Sequence, residues 1–168
     1  MKYSKLVLVI MLLFTVHLAI CQTTEEKIKN KFSEYMTPRL DGRNLKMTVF
    51  SGDLNGDGQK DYLISYCVEA TDKDKDAGGG NAMMNLTCML DGIAVYIKSG
   101  TDYSLKAEKS MDNFKIYTED EVSFDVVGIE KGNILCQSTA YGKDDPRCCP
   151  SIKKSVYVKY ENGKLLKQ

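Results

Sequence analysis

The chain has 168 residues, 43% of them hydrophobic and 27% charged, a globular composition that excludes a disordered or fibrous protein. Its 23 basic residues balance 23 acidic ones, and the lone histidine, His17, lies in the first segment. Loss of that segment removes Lys2, Lys5 and His17 and leaves 21 basic against 23 acidic residues, a net charge of −2; this excludes nucleic-acid binding through a basic stripe, and any Ser-His-Asp, Cys-His or histidine–zinc chemistry.

Lys2 and Lys5 precede an apolar run from Leu6 to Val16, and Ala19-Ile20-Cys21 sets small residues at the −3 and −1 positions of a cleavage site. Residues 1–21 therefore read as a secretory signal peptide, too short for a comfortable membrane span, followed by one mature domain over 22–168 that is periplasmic or extracellular. The rival reading acylates Cys21. Leu18-Ala19-Ile20-Cys21 has the outline of a lipobox, with Ile20 where a small residue is usual, and would make the protein an outer-membrane lipoprotein. No second long apolar run follows, so no transmembrane span is expected.

Thr23 or Thr24 caps a helix whose first turn carries Glu25 and Glu26. Ile28, Phe32, Tyr35 and Met36 form one apolar stripe for the core, and Pro38 is expected to stop the helix near Tyr35 or Met36. After a loop at Arg39 to Asn44, Leu45 to Phe50 alternates like a strand.

That strand runs into Asp53-Leu54-Asn55-Gly56-Asp57-Gly58-Gln59-Lys60-Asp61, which reads D-x-N-x-D-G-x-x-D. Oxygen-bearing side chains at alternate positions suit a hard cation: Asp53, Asn55 and Asp57 through their side chains, Gln59 through its carbonyl, and Asp61 to close the shell. Gly58 supplies a left-handed turn. Position twelve, where an EF-hand has its bidentate glutamate, is Ile64, so the loop is the shorter nine-residue form and opens the strand Tyr62 to Glu69. Many flexible oxygen ligands favour calcium over magnesium. The competing reading is a plain Asn-Gly/Asp-Gly turn.

Thr71 to Asn81 alternates charges and then runs through three glycines, which reads as a solvated loop; a second cation site there is weakened by the interleaved lysines. The methionine-bearing stretch Met83 to Leu90 fits a strand or a short helix. Strands follow at Ile93 to Lys98, Tyr103 to Lys109, Phe114 to Thr118, Val122 to Glu130, Ile134 to Tyr141, Ser155 to Tyr160 and Leu165-Leu166, with hairpin turns at Lys131-Gly132-Asn133 and Glu161-Asn162-Gly163-Lys164. One helix and many short strands joined by tight turns give an α+β fold: an N-terminal helix on a curved, mainly antiparallel meander sheet.

Cys67, Cys88, Cys136, Cys148 and Cys149 remain in the mature chain. Their spacing fits neither a zinc ribbon nor a redox C-x-x-C, so disulfides are expected, Cys67 with Cys88 and Cys136 with Cys148 or Cys149. The adjacent pair Cys148-Cys149, between Pro146 and Pro150, has two other readings, a strained ring and a free reactive thiol. The acidic pair Asp144-Asp145 beside it reads as a solvated loop rather than a general acid and base.

The Asp53–Asp61 loop resembles the calcium loops of integrin-type FG-GAP/VCBS propeller repeats and of dockerins, which implies Asp53, Asn55, Asp57, Gln59 and Asp61 as ligands. The wider layout, with Asp145-Pro146-Arg147-Cys148-Cys149-Pro150-Ser151 before a final strand, is similar to small exported bacterial proteins of the LppP/LprE-like kind. The resemblance implies no activity. The expectation is a secreted calcium-binding domain that acts on a protein or cell-envelope partner, its calcium structural. The alternatives are a metal- or carboxylate-dependent hydrolase working without histidine, and a small disulfide-stapled inhibitor.

Overall fold

In a computed structural model of the chain, the described residues are 22–77, 88–110, 121–146 and 149–168. The expected signal peptide with Cys21, the glycine run 78–80, the methionines Met83 and Met84, the expected strand Phe114 to Thr118, and Cys148 lie outside them.

Thr23 caps helix α1 (Thr24–Leu40) with a complete capping box: its hydroxyl accepts from the Glu26 amide at 3.2 Å, and the Glu26 carboxylate accepts from the Thr23 amide at 3.1 Å. Ile28, Phe32 and Met36 are buried as the stripe requires. Two expectations for this helix fail. It continues through Pro38 to Leu40, ending only where Asp41 (φ 48°) and Gly42 (φ 74°) turn left-handed. Proline here withholds a single amide, and the last turn is held from outside: the Arg39 guanidinium stacks 4.6 Å from the Tyr35 ring centre and pairs with Glu108 at 3.2 Å, while Leu40 packs on the core. Tyr35, expected in the core, is 37% exposed and serves that stack instead.

The strands form two four-stranded antiparallel meanders. The first holds β1 (Leu45–Gly52), β2 (Asp61–Glu69), β3 (Cys88–Ser99) and β4 (Asp102–Ser110) in that order; the second holds β5 (Glu121–Glu130), β6 (Asn133–Ala140), β7 (Ile152–Glu161) and β8 (Lys164–Lys167). The α+β class read from the sequence holds, with the meander divided into two sheets. Alternation along β2 and β3 explains the layering. Tyr62, Ile64, Tyr66, Ala94 and Tyr96 meet α1 on one face, while Leu63, Ile93, Val95 and Ile97 meet Ile134, Cys136, Val156 and Val158 of the second sheet on the other. The order is helix, sheet, sheet, so β2 and β3 are buried on both faces and read as nearly continuous apolar runs. Bulges at Val68/Glu69, Val95/Tyr96 and Val126/Gly128 bend the strands, and β1 and β4 come against β5 and β8 at the two edges. Between β2 and β3, residues 72–77 form a short helix, α2, rather than the expected open loop. Asp74 receives Arg43 at 2.8 and 3.1 Å and caps Thr71, so it is committed to an ion pair and not to a second cation site. The Arg43 guanidinium holds its carboxyl well below the usual carboxylate range.

The expected Cys67–Cys88 disulfide is present, with a Cα–Cα distance of 5.4 Å, and joins the ends of β2 and β3 across the bulge. A bridge closing a loop of this length stabilises by about 3 kcal/mol in the chain-entropy model. The expected pairing of Cys136 with Cys148 or Cys149 is not: Cys136 is a free thiol, fully buried between the sheets on the inward face of β6. Burial pushes it up to about 12, so it is a core residue and not a nucleophile. Cys149 is disulfide-bonded.

Gly92, on β3, sits where no side chain fits. A Cβ there would lie 2.5 Å from the Lys109 carbonyl and 2.5 Å from the Tyr66 hydroxyl, which donates to Glu108. Gly92→Ala is expected to destabilise the protein by about 2 kcal/mol, the cost of overpacking with backbone displacement, as a lower denaturant midpoint at unchanged slope. A midpoint equal to the parent's would contradict the close approach.

Candidate functional site: the Asp53–Asp61 loop

Gly52 and Asp61 pair across β1 and β2, so residues 53–60 span the end of that hairpin. The oxygen-bearing side chains turn inward, onto the loop's own amides. Asp53 accepts from Gly56 at 2.7 Å and from Gly58 at 2.8 Å, Asn55 from Asp57 at 3.0 Å, and Asp57 from Gln59 at 2.8 Å. Gly56 (φ 81°) and Gly58 (φ 77°) take the left-handed conformation that lets those amides point inward. The Asn55 side-chain amide also donates to Asp57 at 3.0 Å; with the Gln59 amide it holds Asp57 below its ordinary value and therefore ionised at neutral pH.

Asp61 differs from the rest. It is fully buried, and its two oxygens accept from two separate backbone segments: Oδ2 from the Leu54 amide at 3.0 Å, closing the loop, and Oδ1 from the Lys98 amide at 2.9 Å, reaching across to β3. No cationic side chain pairs with it among the described residues. Leu54, beside it, is buried against Leu63 and Ile97 and anchors the loop to the core between the sheets.

The five expected ligand positions therefore lie on one loop, in two environments: Asp53, Asn55, Asp57 and Gln59 on the rim, and Asp61 beneath it. Among the described residues, no three Asp, Glu, Cys or His side chains converge as a finished metal cage. The donor chemistry nevertheless fits a hard cation. Asp53 and Asp61 each spend one lone pair per oxygen on an amide and keep the other, and Asp57 Oδ1 does the same.

The late loop has its own organiser. Asp145 accepts from the Gly142 and Ser151 amides, both at 2.6 Å, and these two bonds hold its carboxyl below the ordinary range. It closes the turn before β7, while Asp144 is exposed, so the acidic pair does not converge on a reacting centre. Two features escaped sequence reading. The Leu54 and Lys98 amides are main-chain donors with no sequence signal. The cluster Tyr66–Glu108–Arg39–Tyr35, which ties α1 to β4 over the first sheet, joins residues up to 73 positions apart.

Asp61→Asn keeps the shape but turns an amide donor toward a backbone donor. It is expected to lower stability by about 2 kcal/mol or more, the cost of a buried unsatisfied polar group, measured by denaturant unfolding; loss of less than about 0.5 kcal/mol would contradict the two-amide geometry. The chain matches no protein-family model, no curated protein and no solved structure.

Proposed function

We propose that this chain is an exported, disulfide-stapled binding domain whose Asp53–Asp61 loop takes up calcium as a structural ion. The ligands are Asp53, Asn55 and Asp57, the Gln59 carbonyl, and Asp61. The observation that carries the reading is Asp61: a wholly buried carboxylate whose partners among the described residues are two neutral amides. Buried charges are ordinarily paired with a counter-charge or bound to a metal, because desolvation is otherwise uncompensated. A cation seated over the loop supplies that counter-charge and neutralises the ionised Asp57 at the same time.

The ion is assigned a structural role because its ligands come from one loop at the hinge of two strands, with no nucleophile or general base beside them among the described residues. The domain works by binding, on a protein or cell-envelope partner. No helix among the described residues is long and apolar enough to cross a membrane, and the reading of residues 1–21 as a signal for export accords with a Cys67–Cys88 bridge, a bond that persists in oxidising compartments.

The test is a thermal melt of residues 22–168, oxidised, in calcium and in chelator. At one hundred times the dissociation constant, an ion that binds only the native state adds about 2.7 kcal/mol. The melting temperature is therefore expected to rise by several degrees with calcium. Asp57→Ala should lose most of that rise while melting close to the parent in chelator, since Asp57 is exposed. An unchanged melt up to millimolar calcium would reduce the loop to an ordinary turn.

A further inference from the structure

A cavity of about 570 Å³ opens beside the Asp53–Asp61 loop, at the end of the sandwich. The loop forms one wall through Asn55 and Gly56; the β5–β6 and β7–β8 turns form the others. Leu54 and Ile97 give it an apolar floor, and its polar lining includes Lys131, Asn133, Lys159, Tyr160 and Asn162. That volume lies within the range of about 300–1,000 Å³ typical of small-molecule sites.

The two turns differ in an informative way. Each has positive φ at both central residues, as type I′ hairpins require: Asn162 (φ 50°) with Gly163 (φ 76°), and Lys131 (φ 49°) with Gly132 (φ 77°). Asn-Gly is the unstrained choice. Lysine is a poor left-handed residue, and here it occupies the position that its neighbour gives to asparagine. Strained residues cluster at functional sites. Lys131 also has no anionic partner among the described residues, whereas Lys159 is paired with Glu161 at 3.1 Å. The strained turn thus puts into the cavity lining a lysine with no ion-pair partner among the described residues.

We propose that this cavity binds a short acidic saccharide containing hexuronate. Lys131 pairs with the sugar carboxylate. Asn133 and Asn162 both donate and accept, as sugar hydroxyls do, and the half-buried Tyr160 adds a phenol to the same lining. The mixture of amides with the Glu161 carboxylate favours a hydroxyl-rich ligand over a bare phosphate, which wants donors alone. This inference goes beyond the calcium reading and does not require it.

Calorimetric titration with digalacturonate, run in calcium and again in chelator, tests it, with maltose and inorganic phosphate as comparators. Saturable digalacturonate binding is expected in at least one condition, tenfold or more tighter than either comparator. Lys131→Asn, which installs the unstrained turn residue and removes the charge, should weaken it at least tenfold at an equal or higher melting temperature. The proposal is overturned by no saturation in either condition, by maltose or phosphate binding as tightly, or by an unchanged affinity in Lys131→Asn.

Discussion

Asp61 carries a carboxylate into a position that water does not reach, and the surrounding structure is arranged to accept it. One oxygen takes the amide that closes the Asp53–Asp61 loop, and the other takes the Lys98 amide at the far end of β3. A single side chain therefore fixes the loop, the start of β2 and the end of β3 relative to one another. Hydrogen bonds to both oxygens offset part of the cost of that burial; with either amide removed, less of it would be offset. Leu54 lies between these bonds and is itself core, so the loop cannot lift away without exposing apolar surface between the sheets.

From that junction the layers follow. β2 and β3 share the first sheet's centre, with α1 on one face and the second sheet on the other. The Cys67–Cys88 bridge holds the opposite end of the same strand pair, so β2 and β3 are fastened at both ends, covalently at one and through Asp61 at the other. The helix is fastened separately. Tyr66, Glu108, Arg39 and Tyr35 form a polar chain from β2 through β4 to the last turn of α1, and Lys31 reaches Asp102 at 2.6 Å near the start of β4. Gly92 is the only residue type that leaves room for the Tyr66 hydroxyl in this chain of contacts.

Much of this is legible in the sequence because it is local. The Thr23–Glu26 capping box, the alternation of Leu45 to Phe50, and the Gly- and Asn-bearing turns each depend on residues a few positions apart, and each lies where expected. The oxygen-bearing positions of the loop were equally plain, and they share one turn of backbone. What sequence could not supply is long-range. Pro38 was a stop signal on local grounds, but contacts from Arg39 to Glu108 carry the helix past it. An oxidising compartment favours a paired Cys136, yet the parity of β6 sends its thiol inward among Ile134, Val156 and Val158, away from Cys149, which is exposed. One meander became two sheets because the division depends on which face each strand buries and not on strand content. The role of Lys131 emerges only when its backbone angle is set beside that of Asn162.

Asp61 binds two main-chain amides at once. Native-state hydrogen exchange at the Leu54 and Lys98 amides tests it directly. Both are expected to exchange as slowly as the central amides of β2, and to become fast together in Asp61→Asn. A Leu54 amide that exchanges as rapidly as its exposed neighbour Asn55 would contradict the account, because the loop would then be free of the carboxylate that is said to hold it.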